Sequence, residues 1–155
     1  DSRRLQQVLF NLLGNAGKFS KVDSVIDLSV TLMDGPLKQE EGKEVVHSPT
    51  GQIIRFAVKD YGKGIDKKDF KTIFEPFSQA SKETQNVYGG TGLGLSITSK
   101  LVHRLGGTVG LDSEPEKFTE FTVDLPFAGI PVDVDDIREK MQENTLVVVE
   151  PHRDM

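Results

Sequence analysis

The sequence predicts an α+β domain, a mixed β-sheet with helices packed on it. Three observations predict it. Two long segments carry apolar residues at helical spacing, four shorter ones alternate apolar with polar residues, and glycine or proline separates them. Helices and strands in that order fit a single sheet carrying helices on it.

Ser2 to Phe19 reads as the first helix. At ~100° per residue, Leu5, Val8, Leu9, Leu12, Ala16 and Phe19 gather on one stripe. Val25 to Leu32 alternates, with Ile26, Leu28, Val30 and Leu32 on one face of a half-buried strand. Met33 to Gln52 holds glycine, proline and many charges and reads as a long exposed connection. The second strand puts Ile54, Phe56 and Val58 inward and stops at Asp60. Asp66 to Phe77 reads as a short helix with Phe70, Ile73, Phe74 and Phe77 as its apolar positions. Ser78 to Tyr88 is polar, lacks periodicity and runs into glycines, which predicts a mobile loop. Leu93 to Leu105 is helical again through Leu93, Ile97, Leu101 and Leu105, and Gly106-Gly107 ends it. Thr108 to Asp112 and Glu120 to Leu125 are the closing strands, the second stopped by Pro126.

The domain is therefore expected over residues 1–127. Residues 128–144 are acidic, with one short helical pattern at Val134, Ile137 and Met141, and read as a linker. Leu146 to Val149 is a buried-strand type of run within residues 145–155, and no internal repeat is visible.

A length of 155 residues suits one compact domain with an appendage. The net charge of −5 argues against general affinity for nucleic acid or an anionic membrane surface. No apolar run reaches the ~20 residues that span a bilayer. The polar start of the chain opens a helix and has no signal-peptide pattern. The absence of cysteine excludes disulfides and thiolate metal sites and fits a reducing cytosol.

Four local patterns bear on chemistry. Asn11, Asn15 and Lys18 lie at i, i+4 and i+7 on the first helix, hence on one face. Two amides and an ammonium there suit a hydrated Mg²⁺ and phosphate oxygens, because amide carbonyls are hard ligands. An ordinary solvated helix face is the competing reading. Asp60-Tyr61-Gly62-Lys63-Gly64-Ile65 follows a strand directly. A carboxylate there can accept from the exocyclic amine of adenine, where guanine offers a carbonyl, yet Asp and Gly also make plain turns. Phe74-Glu75-Pro76-Phe77 suits core packing at a helix end. Gly89-Gly90-Thr91-Gly92-Leu93-Gly94-Leu95 opens a helix, whose free N–H groups and positive dipole end attract phosphate. It lacks the Lys-Ser/Thr ending of P-loop enzymes, and a lone glycine run is a weak signal.

In series, Asn11-Leu-Leu-Gly-Asn15-Ala-Gly-Lys18-Phe-Ser20, Asp60-x-Gly-x-Gly-Ile65, Phe74-Glu-Pro-Phe77 and Gly89-Gly-Thr-Gly-Leu-Gly-Leu95 resemble four boxes of sensor histidine kinases. These are the asparagine, first glycine, phenylalanine and second glycine boxes of the catalytic domain. The resemblance implies the two-layer α/β sandwich of the GHKL (Bergerat) superfamily, binding ATP under a flexible lid. It implies Asn15 as the Mg²⁺ ligand, with Asn11 and Lys18 as catalytic neighbours of the phosphates. Asp60 would take the adenine amine, with Gly62, Gly64 and Ile65 shaping the pocket and Thr119 as a second contact. Gly90, Thr91, Gly92, Leu93, Gly94 and Leu95 would line the phosphate side. Ser78 to Tyr88 would be the lid, with Phe74 and Phe77 supporting it and the docking face. Three departures stand out: no Arg or Lys in Asn86-Val87-Tyr88 before the glycines, Gly17 inside a helix, and Phe118 where the family has glycine.

The implied activity is transfer of the γ-phosphoryl group of Mg-ATP to a histidine on separate dimerisation helices. A hydrolytic machine like the gyrase B and heat-shock chaperone relatives would carry a water-activating Glu where this chain has Asn11. A nucleotide-free interaction module is the third reading, opposed by the intact boxes. His47, His103 and His152 lack the helical heptad context of an acceptor, so the acceptor and a first strand are expected before Asp1. Such a piece suits the cytosolic part of a longer kinase, membrane-bound or not, with no direct contact to membrane or nucleic acid. Thr145 to Pro151 resembles the first strand of a downstream receiver domain, degenerate where Glu150-Pro151 replaces two acids; an unrelated edge strand fits equally well.

Overall fold

The computed structural model describes residues 1–35, 51–77 and 92–127. Two helices cover one face of a four-stranded sheet. The first helix, α1, runs Ser2–Phe19. Asp1 caps it by accepting the Arg4 N–H at 3.3 Å, and Lys18 sits in its last turn, where a cation suits the helix dipole. Its inward residues are Val8, Leu12 and Ala16, spaced at i, i+4 and i+8.

The strands β1 (Ile26–Asp34) and β2 (Gln52–Asp60) pair antiparallel from Ile26 opposite Asp60 to Asp34 opposite Gln52. The strands β3 (Thr108–Glu114) and β4 (Phe118–Pro126) form a hairpin, and β4 inserts between β2 and β3. Sheet order is β1-β2-β4-β3, and every strand pairing among the described residues is antiparallel. The parallel pairing that a mixed sheet also needs is not among them. The expected α+β, two-layer arrangement is present.

Period-2 alternation sends Phe56 and Val58 of β2, Phe121 and Val123 of β4, and Val109 and Leu111 of β3 to the helix side. They meet Val8, Leu12 and Ala16 of α1 and Val102 of the second helix, α2 (Gly94–Arg104). The other parity is polar at the sheet centre. There Arg55 on β2 forks onto its cross-strand partner Asp124, Nε to Oδ1 and Nη2 to Oδ2 both at 2.7 Å.

Two expected elements differ. The helix expected over Asp66 to Phe77 is instead two short 3-10 turns, Lys67–Asp69 and Thr72–Phe74. Asp66 caps the first by accepting the Lys68 N–H at 3.1 Å. Glu75 is extended, as a residue before proline prefers, so the helix cannot continue. Ile73 is buried and the Phe74 ring meets Phe121 edge-on at 6.2 Å, but Phe77 is 78% exposed.

The second difference is the buried face of α2. Ile97, expected inside, is exposed, while Ser96, Thr98 and Val102 are buried and Leu95 packs on the core. Thr98 tolerates burial because Asn11 of α1 hydrogen-bonds to it, and the Ser96 hydroxyl donates to the Leu93 carbonyl at 2.9 Å. Apolar periodicity misplaces a helix face whose inner positions are satisfied hydroxyls. Among the described residues, no helix is long and apolar enough to cross a membrane.

Candidate functional site

A row of three polar side chains crosses one end of the sheet. Asp60 ends β2, Thr119 stands opposite it on β4, and Ser113 stands opposite Thr119 on β3. The next row is Val58, Phe121 and Leu111, so the polar row continues the apolar face at the level where the strands run out. All three are buried, with exposures of 4%, 5% and 3% in the order given.

Burial disfavours the charged form of Asp60 and pushes its carboxyl up to about 6. The Gly62 N–H, donating to Oδ1 at 3.0 Å, pulls the other way and does not outweigh that loss of solvation. No described group donates to Oδ2. An under-solvated carboxylate with an open oxygen is a strong acceptor for a ligand N–H.

The glycine turn after Asp60 is held from two sides. Gly62 bridges to Ser20, just past α1, and a β-carbon there would run into the Phe19 carbonyl. Gly64 has φ +66, and a β-carbon on it would meet the Glu114 carbonyl of β3. Between them, Lys63 donates its N–H to Phe19 O at 3.4 Å and accepts from Glu116 N–H at 2.7 Å. The Ile65 N–H donates to Ser113 Oγ at 2.8 Å, and its side chain packs on the core. Asp60, Gly62, Gly64, Ile65 and Thr119 thus come together at one end of the sheet, held by hydrogen bonds and close backbone contacts.

The other group of expected residues lies on α1 and at the start of α2. Asn11 turns its Nδ2 to the Gly94 carbonyl at 3.5 Å and to Thr98 Oγ1 at 3.4 Å, tying α1 to the first turn of α2. Asn15, one turn further along α1, is half-buried, and its side chain makes no hydrogen bond among the described residues. The Lys18 ammonium lies 5.3 Å from the centre of the Phe19 ring. Gly92 has φ +68 and accepts the Phe77 N–H at 3.1 Å. Leu93 is the N-cap residue of α2, which starts at Gly94 without a side-chain cap, so its first-turn N–H groups are open to an anion. Leu95 turns to the core, and Phe77 turns outward on a residue with φ +61. Gly90, Thr91 and the expected lid over Ser78 to Tyr88 lie outside the described residues, as does everything beyond Phe127.

A carboxamide with free oxygen suits Mg²⁺, which keeps most of its waters and takes its charge balance from phosphates. Asn15 fits that need better than it would fit a metal requiring a full protein cage.

Ser113 went unnoticed in the sequence because β3 was expected to stop at Asp112, whereas it runs to Glu114. The signal was there: Ser113 shares the parity of Val109 and Leu111, so it is a polar residue on the buried face of a strand. Phe118 is also explained. Its ring lies 4.5 Å from the Lys59 ammonium, which also faces the Tyr61 ring at 5.7 Å.

Residues 1–129 match the family model described as histidine kinase-, DNA gyrase B-, and HSP90-like ATPase. The chain is 42% identical over 129 residues to hybrid signal transduction histidine kinase A of Dictyostelium discoideum, covering 82% of this chain and 6% of that protein. It is 40% identical over 126 residues to the autoinducer 2 sensor kinase/phosphatase LuxQ of Vibrio cholerae, covering 81% and 13%. Among solved structures it is similar to full-length ShkA in complex with AMPPNP, with TM-score 0.57 and 32% identity over 83% of this chain and 22% of that one. The mycobacterial sensor histidine kinase MprB has the same fold, with TM-score 0.63 at 23% identity over 84% and 74%. The chain spans only a small part, 6% to 13%, of the two curated relatives named.

Proposed function

This chain belongs to the histidine kinase-, DNA gyrase B- and HSP90-like ATPase family, and from that premise we propose that it binds Mg-ATP and presents the γ-phosphate to a histidine carried elsewhere. The observation that carries the adenine end is Asp60, a buried carboxylate with one open oxygen at the end of a strand, beside buried Thr119. The uncapped start of α2 and the free Asn15 carboxamide support the phosphate end. Mg²⁺, when bound there, neutralises phosphate charge, which is most of what phosphoryl transfer asks of a protein besides positioning.

Within that reading, Asp60 and Thr119 orient the base, Gly62 and Gly64 let the backbone come close to it, and Asn15 and Lys18 face the phosphates. Asn11 acts as a positioning residue, since its amide nitrogen is engaged by Gly94 and Thr98. The acceptor histidine would stand on dimerisation helices of the same kinase, and a downstream receiver domain would take the phosphoryl group from it.

Hydrolysis is the second reading, and α1 speaks against it. From Ser2 to Phe19 the helix contains no Asp or Glu, so α1 itself supplies no carboxylate beside Asn15 to activate water. With labelled Mg-ATP, the chain alone should release phosphate slowly and label none of its own histidines. Mixed with the acceptor helices of its own kinase, it should label a single histidine there. Brisk phosphate release without acceptor would favour hydrolysis, and equal affinity for ATP and GTP would remove the role given to Asp60.

A further inference from the structure

We infer that Ser113 is a positioning residue for base selection: it fixes the Thr119 hydroxyl as an acceptor, so that the pocket admits an amino edge and refuses a carbonyl edge. The inference rests on the adenine-site reading above. Its observation is the hydrogen-bond count at one buried oxygen. Ser113 Oγ lies 2.6 Å from the Phe118 carbonyl, 2.8 Å from the Ile65 nitrogen and 3.1 Å from Thr119 Oγ1. A hydroxyl has one hydrogen and two lone pairs.

A carbonyl oxygen 2.6 Å away can only be an acceptor, so the Ser113 hydrogen points to Phe118. The Ile65 N–H occupies one lone pair. The remaining contact must then run from the Thr119 O–H into the second lone pair. Thr119 has no hydrogen left to offer a ligand and keeps two free lone pairs. Beside it across β2 and β4 stands Asp60, which as a carboxylate also only accepts.

The two residues therefore present acceptors alone. Adenine offers a 6-amino group to such a wall, and guanine offers a 6-oxo oxygen, which it repels. Without Ser113, the Thr119 hydroxyl is free to rotate and donate to that oxygen. A residue that merely propped up the hairpin would weaken both nucleotides alike, whereas this one acts on their ratio.

The test measures Mg-ADP and Mg-GDP affinity by calorimetry on the full chain and on Ser113→Ala, Ser113→Thr, Thr119→Val and the Ser113→Ala/Thr119→Val pair. Ser113→Ala should lower the ADP-over-GDP preference at least tenfold, Ser113→Thr should restore most of it, and Ser113→Ala should change it no further once Thr119 is Val. If Ser113→Ala melts before the assay, Ser113→Cys, close in size with a weak S–H, should give an intermediate preference. An unchanged preference in Ser113→Ala or Ser113→Cys, or an equal effect of Ser113→Ala with and without Thr119, overturns the inference. A wild-type chain that shows no preference for ADP fails the adenine reading itself, a distinct outcome.

Discussion

The two ends of the candidate site are built differently. At the Asp60 end the backbone is crowded, Asp60, Ser113 and Thr119 are all hydrogen-bonded, and two glycines stand where no β-carbon fits. At the α1–α2 end only Asn11 is tied down: Asn15 has no partner among the described residues, α2 starts without a side-chain cap, and nothing lies within 4 Å of where a β-carbon on Gly14 or Gly17 would stand. A base is a rigid, uncharged edge, so reading it requires acceptors fixed in advance. In the proposed reading the phosphates bring charge and a hydrated cation of their own to the other end, which then needs only donors and room.

The largest test of this contrast is at Asp60. Asp60→Ala should lower ADP affinity by at least ~100-fold, since it removes a charged acceptor from a buried site. Asp60→Asn should lose binding too while gaining stability at neutral pH. Burial raises the folded carboxyl from the usual 3.8 to about 6. Below about pH 3 both folded and unfolded chains hold the proton and nothing differs. As pH rises from 4 to 6 the unfolded chain releases its proton first, so wild-type stability falls, and the penalty is complete above 6. Asp60→Asn should therefore exceed wild type by up to ~3 kcal/mol at pH 8 and by only ~0.5 kcal/mol at pH 4. Denaturant melts at the two pH values check it, and an advantage that grows toward acid would mean Asp60 is stabilised rather than strained by burial.

Gly64→Ala comes next. The residue needs φ +66, and its β-carbon would strike the β3 carbonyl at Glu114, so the turn must shift. A loss of ~2–3 kcal/mol in stability is expected, with ADP binding falling alongside. A neutral result would show that the turn is slack and the contrast between the ends overstated. Asn15→Ala at the other end should leave stability within ~0.5 kcal/mol, because it breaks no bond in the free chain. Its effect belongs to the loaded site: the gain in ADP affinity on adding Mg²⁺, measured by calorimetry, should shrink by roughly tenfold.

The same contrast explains how much could be read before the structure. The bounds of α1, the strand ending at Asp60 and the grouping of Asp60, Gly62, Gly64 and Thr119 were legible, because local pattern and motif agreed there. The turns after Asp66 were not, since Pro76 and the Asp66 cap outweigh an apolar spacing that looks helical. The inward face of α2 was missed because Thr98 and Ser96 count as polar in a sequence, although partners make their burial cheap. Ser113 was missed for a related reason: its role depends on which residue lies across the hairpin, a relation between strands that spacing along one strand does not carry.

The smallest effect expected is at Gly17, and it tests the open end from the opposite direction. Gly17 lies in the last turns of α1, is exposed, and has nothing within 4 Å of where a β-carbon would stand. Its φ is not among the positive values, so alanine meets neither contact nor backbone strain. Alanine also restricts the unfolded chain more than glycine does, and the helix gains accordingly. Gly17→Ala should raise stability by ~0.5–1 kcal/mol. Because a β-carbon on Gly17 would meet nothing within 4 Å, ADP affinity should stay within about twofold of wild type. A thermal melt and a calorimetric titration decide it together. Stability gained with binding intact would mean α1 can be stiffened at will, as an open phosphate end implies. Stability gained with binding lost would mean that the end of α1 has to bend for the nucleotide, and that Gly17 departs from the family pattern to allow it.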